Sequence, residues 1–459
     1  MSRRGVLLGA AATAGLAACA RPAETPSPGG RDVDRDVDVV IVGAGIAGLV
    51  AARAVVQAGL RCQVLEARDR VGGRIWTSTA WSGLPVDLGA SWIHGSDGNP
   101  VLEEADRLGI TTTIFDVGSF DGAGTSVLYS AEGTRLDEDL VRAPIDTVVR
   151  RLEKSAGARD AGRISLREAL DALPPKLAEL ARSPGVAAVL NEYAADYGAT
   201  PAELALSALD EDDAFPGAHR VFPGGYGELA DRLADGLPVR LGTPVARVSL
   251  REPGRVVVDT ADGRWQAAKV IVTVPLGVLK AGGIQFDPPL SGPHAAAVGR
   301  LGMGRFEKVI LRFGEVFWDD ADHIGVLGDP GAPFTGWFNL HRVTGQPVLM
   351  ALNGGAAAAA AAGPPSQQAT RAAEQLARIY PADFQAPVAV QATDWWADEF
   401  SRGSYSFTAV GSGVEDRAAL AEPIGERLWL AGEASEPDRH STVHGAWISG
   451  LAAARQACG

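Results

Sequence analysis

The sequence predicts an α/β fold with a Rossmann-like core, and the start of the folded part carries the observations that predict it. Residues 37–42 are nearly all apolar, which is typical of a buried parallel strand. A glycine-rich segment, residues 43–48, follows directly and leads into a helical pattern over residues 49–58, which Gly59 ends. A second apolar strand over residues 61–65 completes the order strand, glycine loop, helix, strand.

Three glycines in this unit have the spacing of a dinucleotide-binding fingerprint. Gly43 permits the tight turn, Gly45 permits close approach of a pyrophosphate, and Gly48 lets the helix pack closely. The N-terminus of the helix then faces the phosphates, because its first amide groups have no partner within the helix. Glu66 follows by about 20 residues, where such folds place the acid that binds a ribose hydroxyl. The fingerprint predicts a dinucleotide and leaves NAD and FAD both open.

The composition of the chain limits its number of domains and the kinds of partner and metal site that we expect. The chain has 459 residues, 46% hydrophobic and 21% charged, so we expect a globular protein of two or three domain-sized units. The net charge of −14 disfavours a nucleic-acid partner and permits a cationic substrate, although solubility alone explains an acidic surface. Cys19, Cys62 and Cys458 show no metal-ligand spacing, so no metal is expected. Cys62 is interpreted as a small core residue, and a disulfide with Cys458 remains open.

Residues 1–35 predict an export signal and a tether. The adjacent arginines at positions 3–4 precede an apolar stretch over residues 5–18 and resemble a twin-arginine signal. The sequence Leu-Ala-Ala-Cys that ends at Cys19 resembles a bacterial lipoprotein signal, in which the cysteine is lipidated. Residues 21–35, rich in Pro, Gly and Asp, predict a flexible tether. A chance apolar N-terminus is the alternative.

These patterns predict a protein exported by the twin-arginine route and lipid-anchored to the outer face of the bacterial cell membrane. Its membrane contact would run only through the lipidated Cys19. Mass spectrometry of membrane-extracted protein checks this prediction, and an unmodified Cys19 would contradict it.

The residues that follow the second strand point to one cofactor. Residues 66–74, with the sequence EARDRVGGR, resemble the second FAD signature of the flavin-containing amine oxidase superfamily. In that family such a segment holds the adenosine and the pyrophosphate of FAD. The contacts with FAD that this resemblance implies are Glu66, Ala67, Arg68, Gly73 and Arg74.

The resemblance continues, in the family's order, along nearly the whole folded chain. The matching segments are residues 87–95, 221–226, 244–245, 270–279, 403–406, 428–433 and 442–446. The further contacts with FAD that the resemblance implies are Gly89, Ala90, Ser91, Trp92, Val245, Trp395, Gly432, Glu433, Thr442 and Val443. The sequence is therefore identified as a member of this superfamily, of the polyamine oxidase or spermine oxidase type.

The order of the segments also implies the domain organisation. Residues 36–98, 217–291 and 401–459 would form a Rossmann-like FAD-binding domain of the GR2 type. Residues 99–216 and 292–400 would form a discontinuous α+β substrate-binding domain. The family oxidises a C–N bond by hydride transfer to flavin N5, water hydrolyses the resulting imine, and O₂ is reduced to H₂O₂. The cofactor carries this chemistry, and the protein supplies orientation, electrostatics and exclusion of water.

Lys308 is the first of three candidate catalytic residues. It stands in an apolar, strand-like segment, residues 306–311, where a charged side chain needs a partner. The family places a lysine in this setting, bonded through a water to flavin N5, where it orients that water or assists reoxidation. From the local pattern alone, an edge-strand lysine that points to solvent is the alternative.

Tyr405 and His94 are the other two candidates. Tyr405 resembles one wall of the aromatic cage that holds the amine, since an aromatic face attracts a cation, and a purely structural tyrosine is the alternative. The opposite wall is Thr442, as in spermine oxidases and histone lysine demethylases, where monoamine oxidases carry tyrosine. His94 lies where polyamine oxidases place an acid or a histidine, and it either contacts the substrate nitrogen or is structural. We interpret His444 as structural.

Two departures from related patterns narrow the chemistry. Amino-acid oxidases of the superfamily carry Met-Arg after the Leu-Gly-Ala turn, and the arginine binds the substrate carboxylate; this chain has Ser91 and Trp92 there. Monoamine oxidases link FAD to a cysteine before the cage tyrosine, and this chain has Ser404 there. The sequence therefore predicts non-covalent FAD and disfavours an amino-acid substrate.

Three functions remain open, with O₂ and a small-molecule amine as the expected partners. The favoured one is oxidation of a polyamine such as spermine or spermidine. The others are oxidation of another amine or an L-amino acid, and amine binding by a non-catalytic flavoprotein lipoprotein. Glu211, Asp212 and Asp213 are candidate acids for terminal ammonium groups, although an acidic loop on a solvated face is the favoured interpretation. The oligomeric state is not predicted.

Overall fold

The computed structural model describes residues 35–116, 124–211 and 214–459, without the side chains of residues 138–141. The predicted export signal, with Cys19, and almost all of the tether lie outside the described residues. Asp212 and Asp213 of the predicted acidic loop also lie outside them.

The described strands and helices follow one another along the chain with short connections. The strands are β1 (Asp36–Val42), β2 (Cys62–Leu65), β3 (Thr77–Ser78), β4 (Val86–Asp87), β5 (Trp92–Ile93), β6 (Thr113–Ile114), β7 (Ser126–Ser130), β8 (Arg135–Leu136), β9 (Arg220–Val221), β10 (Val239–Arg240), β11 (Val245–Ser249), β12 (Val256–Thr260), β13 (Gly263–Val272), β14 (Gln285–Asp287), β15 (Gly302–Met303), β16 (Phe306–Arg312), β17 (His323–Leu327), β18 (Gly336–Asn339), β19 (Val348–Gly354), β20 (Ala389–Ala392), β21 (Ser406–Phe407) and β22 (Leu428–Leu430). The α-helices are α1 (Ile46–Gln57), α2 (Pro100–Leu108), α3 (Glu138–Ala156), α4 (Leu166–Asp171), α5 (Pro175–Ala181), α6 (Pro184–Asp196), α7 (Gly227–Ala234), α8 (Leu276–Lys280), α9 (Gly292–Arg300), α10 (His341–Thr344), α11 (Gly355–Ala361), α12 (Pro365–Ile379), α13 (Val414–Ala421) and α14 (Val443–Cys458).

An eight-stranded sheet, counted over the described residues, contains the first strand of the fold. Its order is β10-β2-β1-β13-β12-β11-β14, and β22 pairs with β13. Strand β1 runs parallel to both β2 and β13. Val40 and Ile41 in the middle of β1 are fully buried, so the predicted buried parallel strand is confirmed. Helix α1 begins at Ile46, earlier than the pattern predicted, because Gly45 takes the N-cap position and Gly48 lies inside the first turn.

Helices α1 and α14 pack against each other closely at Gly450. A Cβ at Gly450 in α14 would lie 2.2 Å from Ala47 O in α1, closer than any real carbon contact. A Cβ at Gly48 would lie 2.0 Å from Gly43 O, within the glycine loop itself. The close approach brings the N-termini of both helices to the same region of the protein, at the ends of β1 and β22.

A second, seven-stranded sheet among the described residues has the order β20-β16-β19-β18-β17-β7-β8. Strand β16 has a buried apolar centre, with Val309, Ile310 and Leu311 fully buried. Strands β19 and β20 pair with it on its two sides, both antiparallel. Helix α12 covers one face of the sheet through Leu376, which is also fully buried.

The strands of the two sheets come from alternating parts of the chain. Those of the first sheet lie within residues 36–65, 239–287 and 428–430, and those of the second within residues 126–136 and 306–392. These parts fall inside the segments predicted for the two domains, while the domain bounds themselves stay a prediction. The small sheets β5-β9-β6 and β15-β21 join the parts to one another.

None of the helices in the described part of the chain is long and apolar enough to cross a membrane. Cys62 is buried, which confirms its interpretation as a small core residue. It carries a free thiol, as does Cys458, so the disulfide left open above is not formed. Burial raises the pKa of the Cys62 thiol to about 11, which makes it unreactive at neutral pH.

The contact between α1 and α14 generates a test of the fold. We expect Gly450→Ala to lower the melting temperature by several degrees, since forcing a methyl group into a filled interface costs about 1–3 kcal/mol. Gly299→Ala in α9 is the matched control, because a methyl group there would meet nothing within 4 Å. Thermal unfolding followed by circular dichroism compares the two. Equal melting temperatures would contradict the packing described.

Candidate active site

A cavity of about 810 Å³ lies at the carboxyl ends of β1 and β2 and beside β16. Parallel α/β sheets bind ligands at this edge, where the loops and helix N-termini meet. All predicted site residues except Gly48 lie on its wall. These wall residues are Gly43, Gly45, Glu66, Ala67, Arg68, Gly73, Arg74, Gly89, Ala90, Ser91, Trp92, His94, Val245, Lys308, Trp395, Tyr405, Gly432, Glu433, Thr442 and Val443.

The glycine loop leaves one end of the cavity open to a large ligand. Gly43 has a φ of +104°, which side chains rarely tolerate, and a Cβ at Gly45 would meet nothing within 4 Å. Gly45 is also the N-cap of α1, and no side chain caps that helix. The uncapped amide groups of the first turn are a site for a phosphate group. Gly48 lies off the wall and contributes through packing alone.

Glu66 is a buried carboxylate at the end of β2. Its Oε2 accepts a hydrogen bond from Ala44 N at 2.6 Å, and its Oε1 accepts one from Arg68 N at 2.8 Å. Each oxygen keeps acceptor capacity after these bonds. The carboxylate is therefore held in place by the main chain while it faces the cavity, as a contact with a ribose hydroxyl requires. That contact stays a prediction.

Arg68 is fixed by groups that sequence reasoning did not find. Its guanidinium donates to the Asp398 carboxylate at 2.8 and 2.6 Å and to Ser401 Oγ at 2.8 Å. It also lies 5.9 Å from the centre of the Trp395 ring. Arg68 therefore joins the second strand's loop to the segment that carries Trp395. Nothing local in the sequence marks Asp398, which is 330 positions away from Arg68.

Arg74 and Glu433 form an ion pair at 2.8 Å on the same wall. Glu433 is 4% exposed and also accepts hydrogen bonds from the Ser406 hydroxyl at 2.6 Å and from Ser441 N at 3.1 Å. Burial alone would raise its pKa, but Arg74 and these hydrogen bonds outweigh burial and hold it below the usual value. The fully buried Arg417, also missed, donates to Ser406 Oγ at 2.7 Å and adds a second positive charge.

The N-terminus of α14 meets the cavity beside this pair. Thr442 is its N-cap and accepts a hydrogen bond from Gly445 N at 2.9 Å. The threonine hydroxyl donates to Arg439 O at 2.8 Å, so it serves the helix cap. Gly432, with a φ of +140° and nothing within 4 Å of an added Cβ, leaves open space next to this helix end.

Lys308 in β16 reaches the cavity with its side chain only 6% exposed. Its amino group donates to Asp87 O at 2.9 Å, to Gly89 O at 2.5 Å and to Ser91 Oγ at 2.5 Å. An ammonium group has three protons to donate, and these acceptors use all of them. The solvent-facing alternative for Lys308 is therefore wrong, and the water-mediated contact with the flavin stays a prediction.

The surroundings of Lys308 lower the pKa of its ammonium group toward neutral pH. Burial lowers the pKa of its ammonium group to about 8, and the nearby charge of Asp87 limits the fall. Burial also raises the pKa of the Asp87 carboxyl to about 6, against the effect of Lys308. In the neutral amine one lone pair replaces a proton, and the Ser91 hydroxyl can then donate to it. Lys308 can therefore exchange a proton near pH 8 and keep its three contacts.

Aromatic rings surround the cavity near Lys308. The Tyr405 and Phe306 ring centres lie 5.6 Å apart, and Tyr405 Oη donates to Asp196 O at 2.5 Å. Trp92 packs on Phe338 at 5.2 Å, and both face the cavity. Further rings on the wall are Tyr193 and Tyr197. Phe306 was missed, although it stands two positions before Lys308 and so shares its face of the strand.

Asp196 adds a carboxylate to this aromatic part. It ends α6, is an exposed residue and lies on the cavity wall, as do Tyr193 and Tyr197, its neighbours in sequence. Its charge contributes, after burial, to raising the pKa of Glu192 to about 7. No pattern in the sequence distinguishes Asp196 from other acids at helix ends.

His94 faces the cavity and pairs with a second histidine that was not predicted. Its Nδ1 lies 3.3 Å from Nδ1 of His219, a distance at which one of these two nitrogens donates to the other. Loss of water around the ring, with His219 and His444 nearby, lowers the pKa of His94, so the ring is neutral at pH 7 while it stays open to the cavity. The structure thus brings His94 to the substrate end, and a contact with substrate nitrogen stays a prediction. His444 is buried at 2% exposure, in agreement with a structural role.

The interpretation of Glu211 as part of a solvated acidic loop is wrong. Its carboxylate accepts hydrogen bonds from His440 Nε2 at 2.9 Å and Thr408 Oγ1 at 3.1 Å. Burial alone would raise the pKa of the Glu211 carboxyl, but these hydrogen bonds have the larger combined effect and hold the pKa below its usual value. Chain folding supplies both partners from distant segments, which the local acidic pattern does not reveal. No cluster of His, Cys, Asp or Glu able to hold a metal ion occurs among the described residues.

Comparisons with known proteins place this site in a family. A family model described as flavin containing amine oxidoreductase matches residues 46–458. The chain belongs to the flavin-containing amine oxidoreductase family. Polyamine oxidase 2 of Arabidopsis thaliana is 34% identical over 452 residues, which cover 95% of this chain and 90% of the relative. Polyamine oxidase 3 of Oryza sativa subsp. japonica is 34% identical over 431 residues, covering 91% and 88%.

A solved structure supports the same fold. A putrescine oxidase double mutant with redesigned cofactor binding superposes with a TM-score of 0.73 at 23% identity, covering 92% of this chain and 98% of that one. The protein is therefore a flavin amine oxidase of the polyamine oxidase type, with a flavin cofactor and a small-molecule amine substrate. The predicted α/β fold with a cofactor-binding domain and a substrate-binding domain is confirmed.

The buried lysine of this flavin amine oxidase generates a pH prediction. We expect the rate of flavin reduction at saturating amine to change across an inflection near pH 8, and Lys308→Met to lose that inflection. Asp87→Asn should move the inflection to lower pH, because the negative charge that favours the ammonium form is gone while the main-chain acceptor remains. Stopped-flow absorbance measures the rates.

Lys280→Met is the matched control for this experiment. The Lys280 amino group, like that of Lys308, donates three hydrogen bonds, here all to main-chain carbonyl oxygens, but Lys280 lies off the cavity wall. An inflection that survives in Lys308→Met, or that vanishes in Lys280→Met, would show that Lys308 is not its source.

Proposed function

We propose that this protein oxidises a polyamine such as spermine or spermidine, with FAD held non-covalently and O₂ reduced to H₂O₂. The observation that carries the proposal is that one cavity contains both the cofactor end and the substrate end. This cavity joins a dinucleotide cradle to an aromatic chamber whose wall includes Lys308 and Asp196.

The cradle has the donors and acceptors that FAD needs. The uncapped N-terminus of α1 suits the pyrophosphate, and the buried Glu66 carboxylate suits a ribose hydroxyl. The second helix end, at Thr442, and the open space at Gly432 suit the remainder of the cofactor. When bound, FAD supplies the acceptor for the hydride that leaves the carbon next to the amine nitrogen.

The residues of the chain would prepare the amine for that transfer. Tyr405 and Phe306 form an aromatic wall. The faces of its rings attract a cationic substrate, and the rings exclude water. The reacting nitrogen must be neutral to release a hydride from its neighbouring carbon. Lys308 can take up or release a proton near pH 8, and the neutral His94 adds no repelling charge.

The acid in the aromatic part favours a substrate with more than one ammonium group. Asp196 can bind a distal ammonium group while the reacting nitrogen lies near Lys308, and a monoamine cannot use both. The relatives with 34% identity are named polyamine oxidases. Amino-acid oxidases of the superfamily carry, at the position of Trp92, an arginine that binds the substrate carboxylate. Here the Trp92 ring packs on Phe338 instead. These observations support polyamines over amino acids.

Peroxide release from purified protein, offered a panel of amines, tests the proposal. The panel holds spermine, spermidine, putrescine, N-acetylated polyamines, an aromatic monoamine and several L-amino acids. We expect turnover of polyamines, a fall of about 100-fold in Lys308→Met with flavin retained, and a higher KM for polyamines in Asp196→Asn. The same Asp196→Asn change should leave the KM for any monoamine that reacts unaltered.

The other outcomes of the panel are equally informative. Turnover of L-amino acids alone would overturn the assignment to polyamines and would show that another group binds the carboxylate. A flavin-loaded protein that releases no peroxide from any amine would favour the non-catalytic amine-binding function.

Non-covalent binding of the cofactor has its own test. Ser404 stands where monoamine oxidases link FAD to cysteine, and its hydroxyl donates to Phe306 O at 2.7 Å while accepting from Phe306 N at 2.9 Å. We expect acid precipitation to release all of the yellow colour into the supernatant, as measured by absorbance. Chromatography of the released compound should identify FAD, and colour retained in the pellet would argue for a covalent link.

A further inference from the structure

We propose that Glu307 is a positioning residue. Its carboxylate fixes the position of Trp395 relative to Lys308, and the side chains of Trp395 and Lys308 together hold residues 87–91 at the cavity wall. Glu307 precedes Lys308 in β16, and successive side chains of a strand point to opposite faces. Lys308 lies on the cavity wall, whereas Glu307 does not. Glu307 therefore acts on the site only through other residues.

The Glu307 carboxylate organises the turn that follows β20. Its Oε2 accepts hydrogen bonds from Thr393 Oγ1 at 2.6 Å and from Trp395 N at 2.9 Å, and its Oε1 accepts one from Trp396 N at 3.1 Å. The side chain is 3% exposed, so these donors replace the water that a carboxylate would otherwise bind. The turn wraps around the carboxylate, and its main-chain amides have this group as their acceptor.

Thr393 links the same turn to Lys308. Its hydroxyl accepts a hydrogen bond from Lys308 N at 2.8 Å, and its own N–H donates to Lys308 O at 3.0 Å. The main chain at Lys308 and the turn at Trp395 are therefore parts of one hydrogen-bonded unit. Glu307 lies at its centre and bonds both Thr393 and Trp395.

Both side chains of this unit bind the same short segment of the wall. Lys308 Nζ donates to the carbonyl oxygens of Asp87 and Gly89, and Trp395 Nε1 donates to that of Leu88 at 3.0 Å. Three consecutive carbonyl groups are thus held by two side chains whose spacing Glu307 sets. A shift of Trp395 would move Leu88 away from the two carbonyls bound by Lys308.

The charge of Glu307 is what the arrangement requires. An ionised carboxylate accepts from all three donors, whereas a glutamine of the same size would turn an NH₂ group toward one or more main-chain N–H groups. Two donors cannot bond each other, so a buried amide group would lose its partner and the turn would have to move. A displacement of about 1 Å is enough to slow a reaction by up to 100-fold.

Hydrogen exchange and flavin reduction in the holoenzyme test this proposal with Glu307→Gln. We expect faster exchange of the amides in residues 86–92, an altered visible spectrum of the bound flavin, and reduction at saturating amine slowed by about tenfold. Asp416→Asn is the matched control. It changes a carboxylate that is 1% exposed and pairs with Arg300 away from the cavity, so exchange in residues 86–92 should stay as in the wild type.

A double-mutant cycle separates positioning from general destabilisation. Trp395→Phe keeps a ring and removes the donor to Leu88 O. If Glu307 acts through Trp395, the double variant should reduce its flavin no more slowly than Trp395→Phe alone. Fully multiplicative losses, or wild-type exchange in residues 86–92 of Glu307→Gln, would overturn the proposal.

A milder variant covers the case in which Glu307→Gln does not fold. Thr393→Val removes one donor to Glu307 and the acceptor of Lys308 N, and it should give the same changes to a smaller degree. Wild-type exchange and spectrum in that variant would also overturn the proposal. The exchange readout needs no amine, so failure of the polyamine assignment and failure of the Glu307 proposal remain distinguishable.

Discussion

The burial of the Lys308 amino group is the constraint on which the rest of the site depends. A charge placed among apolar strand residues is stable only if each of its protons has an acceptor. Those acceptors are two main-chain carbonyls and one hydroxyl from residues 87–91. The need to satisfy one lysine therefore brings together a strand of the second sheet and a segment of the cofactor-binding part.

Three buried carboxylates at or beside the cavity follow the same rule. Glu66 accepts from main-chain amides, Glu433 from Arg74 and two serines, and Glu307 from a threonine and two amides. Glu433 joins three segments that are far apart in the chain, and Glu307 ties β16 to the single turn at residues 393–396. The contacts of Glu66 and Glu433 lie within the cofactor half and those of Glu307 within the substrate half, and Lys308 and Trp395 connect the two halves through residues 87–91.

Much of the fold and of the cofactor end could be predicted because the signals there are local. A glycine needed for a positive φ, an apolar strand and an acid after the next strand lie within one short stretch, residues 37–66. The substrate end was harder to predict. Asp196, His219 and Phe306 reach the cavity from three separate segments of the chain. The local sequence around Glu211 predicted a solvated acid, whereas the folded chain places His440 beside it.

The sequence by itself determined the dinucleotide cradle and marked Lys308 as a charge that needs a partner, because glycine geometry and strand burial are properties of neighbouring residues. Only the tertiary structure decided which partners it has, how Glu307 and Trp395 share one turn, and where the acid of the substrate chamber lies. Hydrogen bonds and charges act across a few ångströms of space. The residues that meet at those distances are up to several hundred positions apart, so no local pattern contains them.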